Sequence, residues 1–254
     1  MNILMRLMML GCLFSLQASC GYTQSQDNVL DQNDVVLVDS IGTNRIAFHR
    51  NTTSVDSLRS LIINRIKLAV DSIGRVIQVK DVEFRVVVFP EPTMPRSGLS
   101  GVAPDEHFIY LLLDPDNPHL AEGIAGELVP TIAHEFHHTL RHRTVGYGST
   151  LFESLVSEGL AEQFTMEVIG EPPPWMGPIP DADLDYWQAK AEKVWFDPEY
   201  DPMPWFTGRD GIPRGTGHEL GARIVGAYLT AHPGERASTL YDAEAERFLL
   251  KRKE

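Results

Sequence analysis

The sequence predicts an α+β fold, with a small N-terminal sheet accompanied by helices and a mainly helical C-terminal half. Runs rich in Val, Ile, Leu and aromatic residues predict strands at 34–39, 82–89 and 107–113. After residue 117 the apolar residues recur instead every three or four positions, which is typical of helices. This change in the spacing of apolar residues separates the N-terminal part with the sheet from the helical C-terminal half.

The first twenty residues have the composition of an export signal. Arg6 supplies a positive charge, residues 7–16 form a short apolar core, and the small residues Ala18 and Ser19 follow. About ten apolar residues are too few to cross a bilayer as a helix. The pattern predicts export to the periplasm or cell envelope; a buried N-terminal helix is the alternative.

Both cysteines, Cys12 and Cys20, lie in this leader, so we expect no disulfide in the mature domain. Cys20 follows Ala18 and Ser19 and precedes a polar segment, which resembles a bacterial lipoprotein site. A lipid on Cys20 would anchor the protein to a membrane without spanning it. Because Gln17 stands where such sites usually carry an aliphatic residue, ordinary cleavage nearby is the alternative.

These boundaries divide the chain into a leader at 1–20, a polar tether at 21–33 and a single domain at 34–254. Within the domain we expect an α/β part at 34–116 and a helical part at 117–254. With 43% hydrophobic residues the domain can bury a sizeable core. The net charge of −13 argues against nucleic acid and anionic membrane surfaces as partners, because both are polyanions.

The helices of the domain follow from spacing and from the positions of proline and glycine. Apolar residues recur at helical spacing from Ser54 to Val70 and predict a core helix. Gly98–Gly101 predicts a loop or bulge. We expect the next helix to begin between Ala121 and Pro130, because proline is tolerated best in a first turn.

That helix contains the pattern H-E-x-x-H at residues 134–138. Residues four apart are separated by roughly 40° around a helix, so His134 and His138 point the same way and can hold one metal ion. Glu135 lies about 100° from His134, where it can reach a metal-bound water but is poorly placed as a ligand. A surface helix with solvated His and Glu is the alternative.

A catalytic zinc normally takes three protein ligands and keeps one position open for water. The longer pattern with glycine at position 141 and histidine at 144 is excluded, because the chain has Arg141 and Thr144. Glu158 lies twenty residues after His138, where a second helix after a short loop could present it.

The second helix has clear start and stop signals. Thr150 with Glu153 forms a capping box, and Gly170 precedes a run of prolines, so we expect a helix from Leu151 to Ile169. Glu162 shares a face with the candidate ligand four residues before it. Glu162 could accept a hydrogen bond from the other ring N–H of a metal-bound histidine, or it could be an exposed helix carboxylate.

The spacing of H-E-x-x-H, then nineteen residues, then Glu resembles the gluzincin (thermolysin-like) branch of zinc metallopeptidases. Residues 131–164, with the motif Gly217-His218-Glu219-Leu220-Gly221, resemble a bacterial family of predicted Zn-dependent proteases, a domain of unknown function. The resemblance implies a zincin-like fold with Zn²⁺ on His134, His138 and Glu158, and Glu135 as general base. It also implies that the 107–113 strand forms the sheet edge along which a peptide pairs.

The segment 171–216 is rich in proline and contains all four tryptophans, which are Trp175, Trp187, Trp195 and Trp205. It could form the wall of a substrate cleft, but we favour packing in a small separate core. A short helix is expected at 182–195.

Thr216 with Glu219 predicts a second capping box, which places His218 in the first turn of the following helix. There His218 could hydrogen-bond a developing oxyanion or be structural. A last helix is expected at 237–251.

The sequence thus predicts a zinc metallopeptidase in which Glu135 activates a zinc-bound water to hydrolyse a peptide bond. Its partners would be peptide or protein substrates. The alternative is a non-catalytic zinc-binding envelope lipoprotein, or an interaction scaffold, that retains the fold. A cysteine nucleophile is excluded in the mature domain, and no G-x-S-x-G context is present.

Overall fold

The computed structural model describes residues 35–89, 95–177 and 179–249. The predicted leader, the tether and Cys20 lie outside the described residues, so export and lipidation stay predictions from the sequence. None of the described helices combines the length and apolarity needed to cross a membrane.

The chain divides into two compact units, and the first ends at Glu135 while the second begins at Phe136. The first unit contains a five-stranded mixed sheet in the order β1-β2-β3-β5-β4. Strands β2, β3 and β5 run parallel to one another, whereas β1 and β4 are antiparallel to their neighbours. The strands are β1 (Val35–Ile41), β2 (Asn44–His49), β3 (Glu83–Val88), β4 (Leu99–Val102) and β5 (Phe108–Leu113).

The sheet corrects two expectations. Residues 98–101 were expected as a loop or bulge, but most of this segment forms β4, and β4 rather than β5 lies at the edge of the sheet. The reason is visible in β5, whose last five residues are all buried. A strand that is apolar along its whole length belongs in the sheet interior, with neighbours on both sides.

A 3₁₀ helix (Arg50–Leu58) leads directly into helix α1 (Arg59–Gly74). The predicted core positions Val55, Ile62 and Ile66 are buried, although the regular helix starts later and ends later than the spacing indicated.

Helix α2 (Leu120–His142) carries the H-E-x-x-H motif. It begins just before the expected range, so Pro130 lies in its interior and not in its first turn. An interior proline removes one helical hydrogen bond. The apolar side of the helix, which includes Ile124, Leu128 and Ile132, is fully buried, and this packing favours a continuous helix despite the proline.

The second unit is helical. After the end of α2, its described α-helices are α3 (Leu151–Ile169), α4 (Asp181–Ala191), α5 (Met203–Thr207) and α6 (Thr216–Ala231). The expected last helix at 237–251 is wrong over its described part, which has only two 3₁₀ turns, Ala237–Thr239 and Ala245–Phe248. The fold class, α+β with a helical C-terminal half, is confirmed.

The aromatic segment between α3 and α6 packs a small core, as we favoured. Trp205 is buried with Leu151, Leu155 and Leu220, and the partly buried Trp187 and Trp195 pack against the same cluster. These three tryptophans therefore join α4 and α5 to α3 and α6.

Candidate metal centre

The two histidines of the motif and the glutamate between them are almost fully buried. His134, Glu135 and His138 are 7%, 9% and 5% exposed. This excludes the alternative of a solvated surface helix. The remaining motif histidine, His137, is completely buried and packs on Phe164, with ring centroids 5.3 Å apart.

Helix α3 has the bounds that its capping signals predicted. The Thr150 hydroxyl accepts a hydrogen bond from the Glu153 N–H, the Glu153 carboxylate accepts from the Thr150 N–H, and Gly170 ends the helix with a φ of 82°. Glu158 lies about two turns after the start of this helix and is 6% exposed. The cap at Thr150 fixes where α3 starts, and so fixes the position of Glu158 along the helix.

His134, His138 and Glu158 each offer one ligand atom, and these atoms all lie within 4.8 Å of one another. Tetrahedral zinc with bonds of about 2.0–2.1 Å sets neighbouring ligand atoms about 3.3–3.4 Å apart. The His138 Nε2 and the nearer Glu158 oxygen, Oε2, are 3.6 Å apart. Two imidazole nitrogens and one carboxylate oxygen are also a donor set that zinc takes in hydrolytic sites. The three residues fit the ion.

One neighbour of Glu158 was missed in the sequence. The phenol of Tyr147, in the loop between α2 and α3, donates a hydrogen bond to Oε1 of Glu158. The Tyr147 ring also packs on the His138 ring, with centroids 5.3 Å apart. The signal that could have found it is its place between Gly146 and Gly148, in the short loop joining two ligand-bearing helices.

His218 also contacts Glu158. Its Nε2 lies 3.5 Å from Oε2 of Glu158, and its ring meets Phe206 edge to face at 5.4 Å. His218 lies in the first turn of α6, as expected, but the predicted capping box is absent. The Thr216 hydroxyl donates to the Pro213 carbonyl, and the Glu219 carboxylate accepts from the Gly177 N–H. Neither side chain therefore caps the start of α6.

The glycines around His218 explain how α6 approaches α3. A Cβ on Gly159 would collide with the Gly221 backbone, and a Cβ on Gly221 would collide with the Leu155 carbonyl. A Cβ on Gly217 would collide with the Phe206 ring. The two helices therefore touch backbone to backbone beside Glu158, which brings His218 to it.

Glu162 is fully buried, so the alternative of an exposed carboxylate is wrong. Both of its oxygens accept from the Trp175 indole N–H, at 3.0 and 3.2 Å. Burial raises the pKa of the nearby Glu219, and repulsion from Glu162 adds to this, against the opposing hydrogen bond from Gly177. The predicted hydrogen bond from a metal-bound histidine to Glu162 stays a prediction.

Within the first unit, β4 lies close against the motif helix. A Cβ on Gly101 would come within 2.6 Å of Cγ of Glu135 and 2.7 Å of the Thr131 methyl. Only glycine allows this approach, so the edge strand of the sheet runs directly past the Glu135 side chain.

Two histidines on one turn of a buried helix and a glutamate from the following helix define a metal-binding site of the kind that zinc hydrolases use. The chain belongs to the family described as predicted Zn-dependent protease (DUF2268), whose model matches residues 65–250. This match confirms the resemblance drawn from residues 131–164 and 217–221. No curated protein matches the chain.

Proposed function

We propose that this chain is a zinc-dependent peptidase of the gluzincin type, which uses Glu135 as its general base. One observation carries the proposal: His134, His138 and Glu158 converge within 4.8 Å, and Glu135 directly follows the first of these ligands. Membership of a family of predicted Zn-dependent proteases supports it.

A zinc ion held by His134, His138 and Glu158 would supply a water of lowered pKa, about 7, and a positive charge beside the carbonyl oxygen of the scissile bond. The Glu135 carboxylate accepts the proton from the attacking water and then transfers it to the leaving amine nitrogen. The imidazole of His218, partly exposed beside Glu158, donates a hydrogen bond to the carbonyl oxygen as negative charge develops there. No covalent bond to the protein forms in this scheme.

Strand β4 is the element best suited to hold an extended substrate. It lies at the sheet edge, and β5 is its neighbour in the sheet. An edge strand offers backbone N–H and C=O groups that bind a peptide chain without reading its side chains. Because Gly101 on β4 lies against Glu135, a peptide paired with β4 would pass close to the proposed base.

The test is Glu135→Gln, with Glu122→Gln as the matched control on the exposed side of the same helix. Zinc content and cleavage of a mixed peptide library are measured for both variants and the wild type. We expect zinc to stay bound in all three, and cleavage by Glu135→Gln alone to fall by about 10²–10⁴-fold.

Each contrary result has a defined meaning. A wild type that binds zinc and cleaves no peptide supports the non-catalytic zinc-binding alternative. Absence of zinc from the wild type, or full cleavage by Glu135→Gln, contradicts the proposed function.

A further inference from the structure

The carboxylate of Glu158 has a different neighbour on each oxygen. Oε1 accepts the hydrogen bond from the Tyr147 phenol. Oε2 lies 3.6 Å from Nε2 of His138 and 3.5 Å from Nε2 of His218. The two oxygens therefore face different groups, and Oε2 is the one that faces the candidate ligand His138.

We propose that Tyr147 is a positioning residue that makes Glu158 a ligand through Oε2 alone. A carboxylate can bind a metal through one or both oxygens, and a hydrogen bond to one oxygen favours binding through the other. Single-oxygen binding leaves room for the water or substrate position that a catalytic zinc needs. This inference rests on the metal group of the proposed function.

The backbone around Tyr147 is shaped to deliver the phenol to this place. Gly146 and Gly148 on either side have φ values of 80° and 110°, which favour glycine. The Gly146 N–H donates to the Arg141 carbonyl at 2.8 Å and closes the end of α2. A Cβ on Gly148 would collide with the Glu153 side chain. The hydrogen bond of Gly146 and the close packing of Gly148 against Glu153 therefore fix the loop on both sides of Tyr147.

Two buried side chains hold the Tyr147 backbone from the other side. The Ser157 hydroxyl donates to the Tyr147 carbonyl, and the Arg141 guanidinium donates to the Ser157 oxygen at 3.0 Å. Ser157 directly precedes Glu158 on α3. The loop is thus tied both to the helix that presents Glu158 and, through Arg141, to the helix that presents His138.

The ring contact adds a third restraint. The Tyr147 ring lies 5.3 Å from the His138 ring at an interplanar angle of 52°. Tyr147 therefore touches two of the three candidate ligands, one through its hydroxyl and one through its ring. Replacing tyrosine with phenylalanine keeps the ring contact and removes only the hydrogen bond to Glu158.

The experiment compares Tyr147→Phe with Tyr228→Phe in the full chain. Tyr228 is a matched control, because its hydroxyl also donates to a glutamate, Glu235, at 3.1 Å. The zinc dissociation constant is measured by competition with a chelator, and the visible spectrum of the Co²⁺-loaded protein reports the coordination. The melting temperature of the metal-free protein reports the fold.

We expect Tyr147→Phe to weaken zinc binding by about 10–100-fold and to change the Co²⁺ spectrum. Tyr228→Phe should leave both unchanged. If Tyr147→Phe does not fold, Ser157→Ala replaces it, since this change releases the Tyr147 carbonyl and keeps the phenol; its zinc binding should also weaken.

The results separate this inference from the proposed function. Zinc affinity and Co²⁺ spectrum that are the same as wild type in Tyr147→Phe, or in Ser157→Ala where it is used, overturn the inference and leave the peptidase proposal standing. A wild type that binds zinc but cleaves no peptide contradicts the peptidase proposal and leaves the role of Tyr147 intact.

Discussion

Glu158 and His218 lie on two packed helices and come within 3.5 Å of each other, but their surroundings differ. The Glu158 side chain is 8% exposed and accepts a hydrogen bond from Tyr147. The His218 side chain is 25% exposed and meets the Phe206 ring by its edge. A ligand must be held in one orientation, whereas a group that stabilises a reacting substrate must be reachable. The burial of each residue therefore suits the role proposed for it, a ligand for Glu158 and an oxyanion donor for His218.

The largest expected effect is that of Glu158→Gln, which tests whether Glu158 is a zinc ligand. Losing a ligand should weaken zinc binding by more than the roughly 10–100-fold cost of losing a hydrogen-bond partner of a ligand. Peptide cleavage should be lost with the metal. Glu167→Gln is the control on the same helix, since Glu167 accepts bonds from Ser238 instead. Chelator competition measures the difference, and equal affinities would contradict the ligand assignment.

The second prediction concerns His218→Ala, which tests whether His218 donates a hydrogen bond to the substrate oxyanion. Removing a donor to a developing oxyanion lowers kcat by about 10²–10³-fold, and zinc affinity should be unchanged. His232→Ala, at the other end of α6, should keep the full kcat. Steady-state kinetics together with zinc titration decide the matter. A loss of zinc in His218→Ala would mean that His218, like Glu158, contributes to zinc binding.

The third prediction concerns the contact that brings the two residues together. Gly159→Ala and Gly221→Ala each force a methyl group into a neighbouring backbone, and we expect each to lower the free energy of unfolding by about 1–3 kcal/mol. Gly126→Ala on α2 is the control, because a Cβ there meets no atom within 4 Å. It should raise stability by about 0.4–1 kcal/mol. Denaturant unfolding measures all three.

The smallest effect should come from Glu153, which fixes the start of α3 and so the position of Glu158. Partial burial alone would raise the pKa of Glu153, but hydrogen bonds from Ser149 and Thr150 outweigh it, and the pKa lies below its ordinary value. A carboxyl with a lowered pKa in the folded state stabilises the protein at neutral pH, and this stabilisation is lost as the pH falls through that pKa.

Glu153→Gln should therefore lower the free energy of unfolding by about 1 kcal/mol at pH 7. The difference from wild type should shrink as the pH falls below about 4.3, the ordinary glutamate value. Unfolding curves at several pH values measure this. A difference that is the same at pH 3 and pH 7 would show that the charge of Glu153 does not contribute.

The parts of the fold set by local contacts were predicted well. Helix α3 has the predicted bounds because its cap, Thr150 with Glu153, and its stop, Gly170, lie within the helix and its ends. The three residues of the candidate metal site could be predicted for the same reason, since His134 and His138 share one helix and Glu158 follows on the next. In each case the signal lies within a short stretch of chain.

Other features were missed because they depend on contacts between separate segments of the chain. The position of β4 outside β5 depends on which strands pair, and neither strand carries that information alone. The capping box predicted at Thr216 is absent because Glu219 accepts a bond from Gly177, in a distant segment. The hydrogen bond from Tyr147 to Glu158 depends on how the loop between α2 and α3 folds back on Glu158. Sequence spacing does not report such pairings.

The side chain of Arg141 ties the helix that carries the H-E-x-x-H motif to a segment about 100 residues later in the chain, which the ribosome makes much later. Its guanidinium is buried on the last turn of the motif helix and donates to the carbonyls of Tyr241 and Ala243, both at 3.2 Å. Burial lowers its pKa to about 10, so it stays charged at neutral pH. It can gain these two acceptors only when the ribosome has released residues 241–243. We therefore expect helix α2 to complete its packing late, after residues 241–243 have been made.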